Sequence, residues 1–254
     1  MRKLTWYYKK IVFNVKKKID LDKIQDKHNS LNELFNFYGT DKGTSVINPY
    51  DKNSDKIFGH GFAEFYEKHF EKFKNENLNF LEIGTWKGAS LASFTKYFPY
   101  ANVHGVDRNF KFEYKSKRIT FHSCNTSNIN DLNKLNEEIA EKKFKIIIDD
   151  GSHLLNDIIH NLIFFFKFVE HGGYYIIEDF NHPEYYSYLN NSSGNELLVR
   201  DIINKLKNKD YFESKILGKD DQKYLFENIK EVNVYKGKMF DVGKNVSDIA
   251  FFRK

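Results

Sequence analysis

Three apolar residues, Ile146 to Ile148, run straight into Asp149, Asp150, Gly151, Ser152 and His153, and a second apolar run, Tyr174 to Ile177, ends in Glu178 and Asp179. Short apolar runs bounded by polar and turn residues form buried strands. Side by side in a parallel sheet, the two strands bring Asp150, Glu178 and Asp179 to one rim. Carboxylates that close repel one another and raise each other's pKa unless something positive lies among them. A hard cation with oxygen ligands removes the penalty, and Mg2+, which keeps several waters and takes a few carboxylates, suits the set best. His153 falls in the first helical turn beyond Asp150, where an imidazole can act as general base toward a substrate hydroxyl. His160 lies two turns further along the same face, about 10 Å away by helix rise, and is not a second ligand. The plainer alternative is that Asp149 and Ser152 start a helix while Glu178 and Asp179 meet lysines. Two acidic pairs on consecutive strands favour the cation.

A second constellation lies upstream, in Leu81-Glu82-Ile83-Gly84-Thr85-Trp86-Lys87-Gly88-Ala89-Ser90. Gly84 and Gly88 sit where a strand must turn sharply into a helix, and bare backbone there lets a ligand approach the helix N-terminus. Glu82 stands where a dinucleotide fingerprint would have another glycine, and the spacing is G-x-x-x-G, not G-x-G-x-x-G. A carboxylate at that point repels a pyrophosphate but pairs with an ammonium. Asp107, ending the next strand in Val-His-Gly-Val-Asp, is placed to accept hydrogen bonds from ribose hydroxyls. A nucleoside carrying an amino acid satisfies both acids. A nicotinamide dinucleotide satisfies one, which disfavours a dehydrogenase.

The elements that must hold these residues alternate strictly. From Leu78 onward, the strands NFLEIG, NVHGVD, ITFHSC, FKIIIDD and GGYYIIEDF are interleaved with the helical stretches ASLASFTKYF, INDLNKLNEEIAEK and LLNDIIHNLIFFFKFV. That order indicates a doubly wound, mostly parallel α/β sheet, in which ligands bind beyond the carboxyl ends of the strands. Two strand-like runs, IKEVNVYKGKMFDV and SDIAFFRK, follow the helical NELLVRDIINKLKNK and are expected to pair as an antiparallel edge hairpin. Upstream, residues 1–75 form an N-terminal basic helix and helical cap, with LNELFNFY and FAEFYEKHFEKF at helical spacing and a long turn-rich connection between them. Residues 76–254 form the main domain.

The two constellations together resemble class I S-adenosylmethionine-dependent methyltransferases, whose seven-stranded Rossmann-like sheet is the expected fold. There the first acidic-glycine loop holds the methionine part, the acid ending the second strand holds the ribose, and a polar loop after the third strand meets the adenine. The resemblance assigns these places to Glu82, Gly84 and Gly88, to Asp107, and to Asn125, Thr126 and Ser127. Thr85, Ser90 and Asp149 belong to the same cofactor-binding set. Within that class, IDDGSH, IIEDF and the upstream YGTDKG resemble the metal-dependent macrocin and mycinamicin sugar O-methyltransferases, and more distantly the cephalosporin-hydroxylase-like group, over residues 36–180. This implies S-adenosyl-L-methionine and Mg2+ as cofactors, with Asp150, Glu178 and Asp179 as metal ligands. It also implies catalysis by His153 as base beside Asp150. Gly39-Thr40-Asp41-Lys42-Gly43 looks like that family's segment folding over the cofactor, with Asp41 and Lys42 touching cofactor or substrate. The family's loop after strand three usually reads Gly-Asp-Gln-Ser-Asp. Here it is Cys124-Asn125-Thr126-Ser127-Asn128, with amides replacing both acids but still able to bond adenine.

The expected activity is transfer of a methyl group to a hydroxyl of a sugar or saccharide, in surface-polysaccharide or natural-product tailoring. One alternative is methylation of a phosphate or phosphoramidate oxygen on a capsular glycan precursor. Another is a nucleoside-binding interaction module without turnover, against which the intact His153 and the mutually repelling acids argue. The polar, aromatic-rich stretch NHPEYYSYLNNSSGNE is the expected site of acceptor recognition.

Composition limits the remaining choices. The chain has 254 residues, 41% of them hydrophobic, with a single cysteine, Cys124, and a net charge of +5. This describes a globular protein without an internal disulfide, and a cytoplasmic location is the default. Charge breaks every apolar run before it could span a bilayer. Lys9, Lys10, Lys16, Lys17 and Lys18, with Trp6, Tyr7, Tyr8 and Phe13, make an N-terminal basic helix. Its candidate contacts are a solvated face, a second subunit in a homo-oligomer, or the anionic inner face of the membrane. No basic patch elsewhere is interleaved with aromatics, so nucleic acid is not an expected partner.

Overall fold

The computed structural model describes residues 2–25, 27–47, 59–192, 194 and 196–254, with backbone alone for residues 2–7. Seven strands make its central sheet: β1 (Asn79–Ile83), β2 (Asn102–Asp107), β3 (Ile119–Ser123), β4 (Phe144–Asp149), β5 (Val169–Glu178), β6 (Glu231–Lys236) and β7 (Asp248–Arg253). They lie in the order β3-β2-β1-β4-β5-β7-β6. Strands β1 to β5 are mutually parallel, and β7 runs antiparallel to both of its neighbours. Strand order therefore reverses between β1 and β4, which is where such sheets open a crevice.

The last two strands pair antiparallel at the edge of the sheet, as expected, with β6 outermost and β7 lying between β5 and β6. The reason lies in their residues. Ile249, Ala250, Phe251 and Phe252 are all fully buried, which an edge cannot provide, whereas β6 alternates buried Val232 with exposed residues. A two-residue hairpin, Phe240–Asp241 against Lys244–Asn245, lies between them in sequence.

Nine helices are described. On one face of the sheet α5 (Ile129–Ile139), α6 (Leu155–Phe166), α8 (Val199–Asn208) and α9 (Lys219–Asn228) pack on Leu81, Ile147, Tyr175 and Ile177. On the other, α2 (Leu31–Tyr38), α3 (Ala63–Phe70) and α4 (Ala89–Tyr97) pack on Phe80, Ile146, Ile148, Ile176 and Phe251. Phe35 meets Phe94 and Tyr66 edge-on there, contacts that add about 0.5–1.5 kcal/mol each beyond area burial. The remaining two are α1 (Arg2–Val15) and the short α7 (His182–Tyr185). Ser30 caps α2 by accepting from the Glu33 amide, and the Glu33 carboxylate returns to the Ser30 amide, a reciprocal box that fixes where the helix begins. α1 is moored by Phe13, which packs against Phe110 and Phe121, and by the Lys16–Glu113 ion pair. Residues 48–58 of the turn-rich connection lie outside the described residues.

Candidate functional site

Strand alternation determines where each acid points. In β4, Ile146 and Ile148 face the α2/α3/α4 layer, while Ile147 faces α6. Asp149 therefore follows Ile147, and its carboxylate accepts from Asn161 of α6 and from Tyr175 of β5. Burial pushes it up to about 7, against the pull of those two donors. Of the expected cofactor contacts, Asp149 is the one this geometry turns away from the crevice, and it serves the sheet's underside. Glu82 and Glu178 have the opposite parity and emerge toward the α2/α3/α4 layer.

A cleft of about 800 Å³ opens over the ends of β1, β2, β4 and β5. One end of it is built by the β1–α4 turn. Gly84 has φ +85°, and a Cβ there would lie 1.8 Å from the Asp150 carbonyl oxygen. Gly88 has φ +89°, with Phe112 filling the space a side chain would need. The turn therefore accepts glycine alone at both points. Glu82 accepts from the Ser90 hydroxyl at 2.5 Å, and its other oxygen, buried, has no hydrogen-bond partner. Burial pushes Glu82 up to about 7, partly offset by Lys42 and Ser90. The Thr85 hydroxyl is likewise buried and without a hydrogen bond. Unmet acceptors of this kind fit a ligand that brings donors, such as an amino acid's ammonium. Asp107 is held by the amides of Trp86 at 2.8 Å and Asn109 at 2.5 Å, leaving lone pairs toward the cleft for hydroxyls. Asn125, Thr126 and Ser127 also line it, and Asp157 ties Ser127 to Ser152 by accepting from both hydroxyls.

At the other end, carboxylates and imidazoles converge. The Lys42 ammonium lies 2.5 Å from Asp150, 2.6 Å from Glu178 and 4.0 Å from Glu82. Burial alone would lower the lysine's pKa, but these three carboxylates outweigh it and hold the ammonium well above its ordinary value. Tyr66 donates to the second oxygen of Glu178, so that carboxylate is fully engaged. Two of the three strand-end acids, Asp150 and Glu178, are thus compensated within the chain itself.

Asp179 is different. It is 5% exposed, and one of its oxygens has no hydrogen-bond partner. Burial first, then Asp150 and Glu178, drive its pKa well above the carboxylate range. His182 and His60 approach that oxygen at 3.6 and 3.3 Å. His153 stands 3.6 Å from Asp150 and packs edge-on against His182. Burial, then the neighbouring His60 and Lys42, holds His153 down to about 4, and burial, then the neighbouring imidazoles of His153 and His60, holds His182 to about 3, so both rings are neutral at pH 7. Among the described residues, the ligating atoms of His153, Asp179 and His182 all fall within 4.8 Å of one another, a spacing that a metal ion can bridge. Trp86, His153 and Asp179 all carry positive φ, at 43°, 54° and 53°. Non-glycine residues in that region cost about 1–3 kcal/mol each and collect at functional sites.

Sequence reasoning located Asp150, Glu178, Asp179 and His153 and brought them to one rim, as found. Asp41 lines the cleft, and Lys42 lies buried beneath it, bound to acids of the sheet. His182 and the buried Tyr66 and His60 were missed. His182 had a signal, since it lies three residues beyond Asp179 at a strand end. His60 and Tyr66 reach the site only through tertiary folding of the N-terminal layer.

The strand order, the antiparallel β7 and the acidic crevice at the switch point define the Rossmann-like methyltransferase fold. No family model matches the chain. In sequence it is similar to demethylmacrocin O-methyltransferase of Streptomyces fradiae, with 32% identity over 157 residues, 59% of this chain and 36% of that one. It is also similar to mycinamicin VI 2''-O-methyltransferase of Micromonospora griseorubida, with 30% identity over 129 residues, 48% of this chain and 32% of that one. The chain thus spans about a third of the length of these curated relatives. Among solved structures it resembles the MycE methyltransferase of the mycinamycin pathway in complex with Mg, SAH and mycinamycin VI. The TM-score is 0.65 and the identity 25%, covering 90% of this chain and 54% of that one.

Proposed function

We propose that this protein is an S-adenosylmethionine-dependent O-methyltransferase, assisted by a divalent cation, whose acceptor is the hydroxyl of a sugar on a natural product or saccharide. The observation that carries the proposal is that one cleft joins two ends of complementary chemistry. A glycine turn with an unmet buried carboxylate lies at one, and an acid–imidazole cluster at the other. Likeness to relatives named as O-methyltransferases of an L-olivosyl-oleandolide and of a rhamnosyl-tetracenomycin supports the acceptor class.

In this account Glu82 and Thr85 receive the amino-acid end of the cofactor, Asp107 the ribose, and Asn125, Thr126 and Ser127 the base. When bound, the sulfonium supplies the methyl group, and a divalent cation lowers the pKa of the acceptor hydroxyl. Asp150 and Asp179 offer oxygens to that cation, while Glu178 reaches it only by giving up Lys42. His153, neutral and at the cleft wall, takes the acceptor's proton. The remaining work is alignment of oxygen, methyl and sulfur, for which Tyr38, the turn from Gly39 to Asp41, and His60 supply part of the crevice wall. Tyr186 and Tyr188, lining the outer cleft, offer aromatic faces to a sugar ring.

The test is to incubate the protein with S-adenosylmethionine, Mg2+ and a panel of deoxyhexosyl glycosides and nucleotide sugars, and to look for singly methylated products by mass spectrometry. Methylation that requires His153 is expected. A protein that binds S-adenosylhomocysteine yet methylates none of the glycosides, while methylating a phosphate oxygen, would overturn the acceptor assignment.

A further inference from the structure

Within the acid–imidazole cluster the donors are not equivalent. Glu178 has both oxygens engaged, by Lys42 and Tyr66, and one oxygen of Asp150 is taken by Lys42. Asp179 Oδ1 and His182 Nε2, by contrast, are both buried and without a hydrogen-bond partner, 3.6 Å apart; His60 Nδ1 lies 3.3 Å from the same oxygen but makes its hydrogen bond to Ser247. An unpaired acceptor buried beside an unpaired imidazole nitrogen is costly unless a third body satisfies both. Their placement follows from local structure. Asp179 ends β5 with φ +53°, and His182 opens α7 three residues later, so the chain doubles back to face its own carboxylate.

We propose that Asp179 and His182 are the anchoring ligands of the divalent cation, and that an imidazole in the set makes the site prefer a borderline transition ion, Co2+ or Zn2+, over Mg2+. His153, whose ligating nitrogen lies in the same 4.8 Å group, would stay available as base with Asp179 and His182 holding the ion. An all-oxygen set suits Mg2+, whereas nitrogen donors raise affinity along the series from Mn2+ toward Zn2+ without helping Mg2+. The inference rests on the proposed function for the location of the site, but not for the existence of the ligand pair.

The test uses full-length protein without a histidine tag. Wild type should bind Co2+ at least about tenfold more tightly than Mg2+ by calorimetric titration. Mn2+ bound to it should show nitrogen hyperfine coupling in pulsed electron paramagnetic resonance. In His182→Ala the Co2+ affinity should fall at least about tenfold, while Mg2+ affinity stays within about twofold. Equal affinity for Co2+ and Mg2+ in wild type, or Mn2+ without nitrogen coupling, would overturn the proposal. So would a Co2+ preference that survives in a folded His182→Ala. The hyperfine measurement needs no variant, so it decides the matter even if His182→Ala fails to fold. A parallel titration with S-adenosylhomocysteine keeps the two readings apart, because its failure would count against the methyltransferase reading and not against the ligand pair.

Discussion

With its ammonium 2.5 Å from Asp150 and 2.6 Å from Glu178, Lys42 leaves the buried Glu178 and the partly buried Asp150 uncompensated when it is removed. Losing one partner of a buried ion pair costs about 3–5 kcal/mol, so Lys42→Met should lower the unfolding free energy by an amount of that order, read as a lower urea midpoint at unchanged slope. Adding Glu178→Gln should recover part of the loss, and an unchanged midpoint in the single variant would show that the acids are not held charged by Lys42. His153 makes a different prediction. Its replacement by Ala should reduce turnover by about 100-fold or more, the usual worth of a positioned base, with S-adenosylhomocysteine affinity within about twofold. Full activity in the variant would remove His153 from the mechanism. The residue types and their strand-end positions were legible in the sequence, but the true neighbour of each acid was not. Alternation along Ile146-Ile147-Ile148-Asp149 is enough to send Asp149 under the sheet, a signal present in the sequence. That Lys42 lies among the acids depends on how the N-terminal layer folds across the crevice, over a separation of more than a hundred residues.

Residues that do not line the cleft still set the conditions under which the cleft exists. In β2, His104 is 4% exposed and shares a hydrogen bond with His122 of β3 at 3.0 Å. Burial, then His122 and Lys142, hold His104 down to about 4. In the unfolded chain it titrates near 6.5. Between those values the unfolded state binds a proton that the folded state refuses. His104 therefore makes no demand above pH 6.5 and erodes stability as pH falls toward 4, by up to about 3 kcal/mol in all. Urea midpoints at pH 7.5 and pH 5 should fall closer together in His104→Leu than in wild type, and an identical difference in the two proteins would contradict this. The strands and the helices α4, α5, α6 and α8 were all legible from periodicity. The placement of β7 inside the sheet was not drawn from the sequence, although five buried positions in succession argue against an edge.

Across the whole molecule, residues 1–75 do more than sit above a finished domain: Leu31, Leu34, Phe35, Tyr66 and Phe70 share one hydrophobic core with Phe80, Ile148 and Phe251 of the sheet. The same layer delivers Lys42, His60 and Tyr66 to the acid cluster, so the site is complete only with that layer in place. No helix among the described residues is long and apolar enough to cross a membrane. The central claim is that the β1–α4 turn, Glu82 and Asp107 hold S-adenosylmethionine. It is tested most directly by calorimetric titration of the protein with S-adenosylhomocysteine, in wild type and in Asp107→Ala. The account predicts micromolar binding that weakens at least about tenfold when the two ribose hydrogen bonds are lost, each charged bond being worth about 1.5–3 kcal/mol. No binding to wild type, or equal binding to both proteins, would contradict it.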